Sequence, residues 1–112
     1  MANLSATVSS ISKAIIGEAT KIGGELWSRI QDASRFYVKA YSQALIDTAS
    51  AVAMGDMTPD EGVNSGKAAA FFFCMMIAQA TEATLTAVQK FINAVIDTLK
   101  VSINAALPFP IL

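Results

Sequence analysis

The residues able to do chemistry are few and poorly grouped. Histidine is absent and Cys74 is the one cysteine. The chain therefore offers no imidazole base or His metal ligand, and it can form neither an internal disulfide nor a thiolate cluster. Glu18, Glu25 and Asp32 recur every seven residues, a spacing that would line carboxylates along one helical face for proton transfer or metal binding. Basic residues interleave them, and the Glu-x-x-His pattern of helical di-metal sites is missing. Asp56-x-Thr58-x-Asp60 has the start of a calcium loop, but Glu61 stands where such a loop needs glycine and Lys67 where it needs glutamate. Gly62 to Lys67 (GVNSGK) ends like a phosphate loop, yet it lies in a helical pattern with no strand before it. Cys74 sits in the most apolar run, where a thiol is an inert small hydrophobe. These readings predict a non-enzymatic protein with no cofactor and no metal.

The elements that carry these residues are helices. Met54–Glu61 (MGDMTPDE) is the strongest punctuation: Gly55 suits a helix C-terminus, and Thr58-Pro59-Asp60-Glu61 reads as a capping box with proline at the first helical position. Before it, steps of four, three and four from Leu4 give Leu4, Val8, Ile11, Ile15, Ala19, Ile22, Leu26, Ile30, Ala33, Tyr37, Tyr41, Ala44, Thr48 and Val52. All but Thr48 are apolar, a repeat of 3.67 residues per turn that marks a nearly straight helix. After it, Gly66, Ala70, Cys74, Ile77, Thr81, Leu85, Val88, Ile92, Ile96, Leu99, Ile103 and Leu107 form a second uncharged stripe. Pro108 and Pro110 forbid further helix, leaving an extended apolar tail.

The resulting expectation is an all-α fold: one domain over residues 1–112, built as a long antiparallel two-helix hairpin. Helix one runs from about 4 to 54, the turn occupies 55–58, helix two runs from about 59 to 106, and the tail covers 108–112. Each arm would be roughly 70 Å long at 1.5 Å per residue. Gly23-Gly24 allows a kink or a break. The unbroken stripe from Ile22 to Leu26 favours continuity, with a separate N-terminal helix ending near Ile22 as the alternative.

Composition extends the argument from fold to function. Of 112 residues, 54% are hydrophobic and 15% charged, with eight Lys+Arg against nine Asp+Glu. That excludes a disordered chain, and near-neutrality opposes nucleic-acid binding through counterion release. The charges Glu18, Lys21, Glu25, Arg29, Asp32, Arg35 and Lys39 mark a solvated face on helix one. Two stripes cannot hide all the apolar residues, so the hairpin is expected to assemble into a multi-subunit bundle. The predicted interface is Trp27, Phe71, Phe72, Phe73, Met75, Met76, Ile77 and the tail residues Phe109, Ile111 and Leu112. The function expected is a self-associating structural subunit of a larger assembly, such as a phage virion, a tail or injection machine, or a filament. Its partners would be itself and other subunits of that assembly.

The alternative is a membrane-active hairpin, holin-like or pore-forming, inserting the 68–88 region. The charge-free stretch between Lys67 and Glu82 is fourteen residues, short of the roughly 20 that a bilayer requires. Residues 1–12 carry no basic segment or apolar run of a secretory signal. A protein made in the cytoplasm and incorporated into a particle is therefore expected, with the membrane as second choice.

Overall fold

Gly24 decides the architecture. In the computed structural model, which describes residues 8–81 and 83–112 and every side chain among them except those of Arg29 and Ala33, helix α1 spans Val8–Ala53 but is interrupted there. Gly24 has φ 51° and ψ −128°, a conformation that side-chain-bearing residues rarely adopt. The chain reverses at this point. Limb 8–23 folds back along limb 25–53, and Ser12 Oγ donates to Ser42 Oγ at 3.0 Å across 30 residues of sequence.

The second half is also divided. Helix α2 covers Pro59–Thr81 and α3 covers Leu85–Ala106. Thr81 Oγ1 donates back to the Ile77 carbonyl at 2.6 Å. Thr84, in an extended conformation, then caps α3 by accepting from the Ala87 N–H at 3.1 Å. Between α1 and α2 the expected punctuation is present. Gly55 takes φ 83°, and the bonds Asp56 N–H to Ala51 O and Gly55 N–H to Val52 O close a Schellman turn. Thr58 N–H donates to Glu61 Oε1 at 2.9 Å, and Glu61 N–H donates to Thr58 Oγ1 at 3.2 Å. This is the reciprocal capping box.

Four rods therefore pack up, down, up and down. Limb 25–53 runs antiparallel to α2, with Tyr41 beside Phe73 and Thr48 beside Ser65. Limb 8–23 runs antiparallel to α3, placing Ile11 near Ile103 and the Gly23–Trp27 turn near Phe91. Such a closed ring is a four-helix bundle. The all-helical expectation holds, whereas the extended two-helix hairpin does not describe the chain. A straight helix of 46 residues would run about 69 Å, yet the longest dimension of the molecule is 40 Å. The radius of gyration, 13.5 Å, matches the value of about 13 Å for a compact domain of this length. Leu4, the first position of the predicted stripe, lies outside the described residues. The 68–88 region is shared between two antiparallel helices, and among the described residues no helix is long and apolar enough to cross a membrane.

The core follows from this ring. All twelve positions of the second-half stripe are buried or half-buried. Limb 25–53 buries more than its stripe because it touches two neighbours. Trp27, Val38, Leu45 and Ala49 are in the core as well as Ile30, Tyr41 and Val52. The buried serine and threonine hydroxyls in this limb are bonded: Ser34 to the Gln31 carbonyl, Ser42 to Val38, and Thr48 to Ser65.

Candidate interaction surfaces and the Tyr41 clefts

The acidic residues singled out from sequence do not converge. Glu18 and Asp32 lie on opposite limbs of α1, so the heptad spacing no longer aligns them. Among the described residues no three His, Cys, Asp or Glu side chains gather closely enough to hold a metal ion. Thr58 and Glu61 are engaged in capping each other. Cys74 is buried, and that burial pushes its thiol up to about 11, so little thiolate forms at neutral pH.

The ten residues expected at an interface divide by helix geometry. Phe71, Phe72 and Phe73 point in three directions, as successive helical residues must. Phe73 is in the core and stacks on Tyr41, with ring centroids 5.1 Å apart and planes 13° from parallel. Ile77 is also in the core. Trp27 is buried within its own chain against Phe91, 6.1 Å between centroids. Ile111 is buried, and Phe109 and Leu112 are half-buried on the same core, so the tail docks on its own bundle. Met75 and Met76 are half-buried. Phe71 and Phe72 remain exposed, by 48% and 59%.

Phe72 borders a groove of about 230 Å³ between limb 25–53 and α2. Ala40, Ala44 and Ala69 line it together with Tyr37, Phe72 and Met76. At one end Phe36 stands 71% exposed, edge-on to Tyr37 at 5.4 Å. Sequence reasoning missed Phe36. It lies between Arg35 and Tyr37, out of phase with the apolar stripe, and an aromatic in that position was the available signal.

Tyr41, one position of the first-half stripe, has a second feature. It lines this groove and also a second cleft between α2 and α3. The residue is 3% exposed, and its hydroxyl is buried with no hydrogen-bond partner among the described residues. Burial, helped by the nearby Cys74 thiol, pushes the Tyr41 hydroxyl well above the ordinary tyrosine range. At neutral pH it is a protonated donor. An unpartnered buried hydroxyl costs about 1–3 kcal/mol, so Tyr41→Phe, which keeps the stacking on Phe73, is expected to raise stability by about 1 kcal/mol. Urea unfolding followed by circular dichroism checks this. A loss of 1 kcal/mol or more would show that the hydroxyl has a partner inside the fold.

No family model, curated protein or solved structure matches this chain.

Proposed function

We propose that this chain is a non-enzymatic helical structural protein that associates with copies of itself as a subunit of a larger assembly. A virion, a tail or injection machine, or a filament would use such a subunit. The reading is carried by one observation: Phe72, mostly exposed, borders a groove lined in part by three alanines, and Phe36, also mostly exposed, adjoins it through Tyr37. A protruding ring next to a small-residue trough is self-complementary, because a twofold axis brings the ring of each copy to the trough of the other. Large aromatics packed into such pockets dominate binding energy at protein interfaces. Of the other exposed large apolar residues, Ile22, Met54 and Val101 fall on separate rods or turns, as scattered surface residues commonly do, and Phe71 does not line the groove. Support for a non-enzymatic role comes from the duties of the reactive groups, with Thr58 and Glu61 capping α2 and Cys74 packed in the core.

Light scattering on purified protein tests the proposal. The expected result is a discrete oligomer, at a multiple of 11.8 kDa. The double variant Phe36→Glu/Phe72→Glu should retain its helical spectrum and weaken association by about 100-fold or more, as loss of two hot-spot aromatics would. A wild-type protein that stays monomeric at high micromolar concentration overturns the reading. So does a double variant that assembles as before.

A further inference from the structure

The second cleft over Tyr41, between α2 and α3, has the features of a ligand site and lies apart from the Phe36–Phe72 groove. It encloses about 270 Å³. It is lined by Gly66 and Ala70 of α2, Ile96 of α3 and Ile111 of the tail, which packs over Gly66. The cleft continues along the same two helices into a trough of about 250 Å³, since Lys67, Ala70 and Asn93 line both. There Phe71 and Cys74 provide the apolar surface. This second trough gives Phe71, half exposed in the free chain, something to contact.

The polar groups lie at the other end. Lys67 of α2 and Lys100 of α3 both line the cleft, as does Asp97 of α3. Two cations against one anion leave a rim that favours a negative head group. Tyr41 also lines the cleft, its hydroxyl buried and without a partner among the described residues. Stacking on Phe73 needs only the ring, so the hydroxyl contributes nothing to that contact. An acceptor oxygen entering between Gly66 and Ala70 would give it one. Reaching it requires α2 and α3 to part slightly.

We propose that the α2–α3 cleft binds a medium-chain carboxylate, one oxygen accepting from Tyr41 and the head drawn by Lys67 and Lys100, with the chain lying along Ala70 toward Phe71. Pockets that combine an apolar lining with a few convergent polar groups are the usual form of small-molecule sites. The proposal does not depend on self-association.

Calorimetric titration of the full chain with octanoate tests it, with octylammonium as the cationic control. Octanoate should bind, and octylammonium should bind at least about tenfold more weakly, a difference of one charge-assisted contact. Tyr41→Phe should weaken octanoate by about tenfold while its thermal unfolding stays the same or improves. Lys67→Gln/Lys100→Gln, both on the exposed rim, should weaken it by a similar factor. Phe36→Glu/Phe72→Glu should leave octanoate affinity unchanged, which separates this site from the association face. The proposal is overturned by octanoate failing to bind at millimolar concentration, by equal binding of octylammonium, or by unchanged affinity in Tyr41→Phe or in the double lysine variant.

Discussion

Alanine at both Gly23 and Gly24 is expected to remove a large part of this protein's stability and to change its shape. Gly24 holds φ 51° and ψ −128°, and an L side chain in so sparsely populated a region costs about 1–3 kcal/mol. Gly23 is constrained by space instead. A Cβ there would collide with the Trp27 Cβ and come within 2.9 Å of the Phe91 ring. The Trp27 Cβ cannot swing aside as a side-chain tip can, so the contact between these two rings would have to open, at about 1–3 kcal/mol for an overpacked core. Together the changes approach about 3–5 kcal/mol against a total of about 5–15 kcal/mol for a domain. The displaced limb also has another place to go. With alanines across the junction the local preference is helix, and the apolar stripe is already in phase from Ile22 to Leu26. Limb 8–23 could then extend α1 and pack on the bundle of a second copy. Urea unfolding should show the loss, and small-angle scattering should show an elongated dimer. Unfolding within 1 kcal/mol of wild type, with unchanged dimensions, would mean that the reversal does not depend on these glycines.

That competition explains how much of the fold was legible. Periodicity reports which face of a helix meets the core. It does not report the direction in which the helix runs. Limbs 8–23 and 25–53 both turn their stripe to the same core, and the reversal occupies so few residues that the phase carries through it. The continuous stripe thus described a bent chain as faithfully as a straight one. The division of α2 from α3 is marked only by Thr84, whose cap lacks the acidic or amide partner three residues later, that position being Ala87. The turn at 54–61, by contrast, carries glycine, proline and a reciprocal capping pair, and it was legible residue by residue.

Topology also determines how much of the apolar surplus is covered within the chain. Two rods bury a single seam, whereas four rods in a ring bury a face on each. Trp27, Phe73, Ile77 and Ile111 have partners inside the chain, and the exposed aromatics reduce to Phe36, Phe71 and Phe72. The two sites discussed above depend on tertiary neighbours. Tyr41 becomes notable only because residues of α2, α3 and the tail form a cleft that it also lines. Lys67 and Lys100 face one cleft only because α2 and α3 are antiparallel. No spacing along the sequence encodes those relations.

Removal of residues 108–112 is expected to be nearly as damaging as the glycine substitutions, although the segment has no regular structure. Ile111 is 1% exposed and packs where α2 has no side chains. Its Cγ2 lies 3.5 Å from the position a Cβ on Gly62 would take, and its carbonyl oxygen lies 3.3 Å from the corresponding position on Gly66. Two prolines limit the freedom lost when the tail docks. Asn104 then fixes its end, donating from Nδ2 to the Leu112 carbonyl at 3.1 Å and accepting from the Leu112 N–H at 3.0 Å. Truncating a buried isoleucine to alanine costs about 2–5 kcal/mol, and each amide bond contributes about 0.5–1.5 kcal/mol. Because the clasp and the buried side chain support each other, the deletion should cost less than their sum, about 3–5 kcal/mol. Single variants apportion the effect. Ile111→Ala should account for most of it, while Asn104→Ala should cost about 1–2 kcal/mol. Asn104→Asp should be no better than Asn104→Ala, since a carboxylate would face the Leu112 carbonyl in place of a donor. Hydrogen exchange should quicken first in the opening turns of α2, around Gly62 and Gly66. If exchange there and the urea midpoint are both unchanged by the deletion, Ile111 does not hold α2 to the bundle.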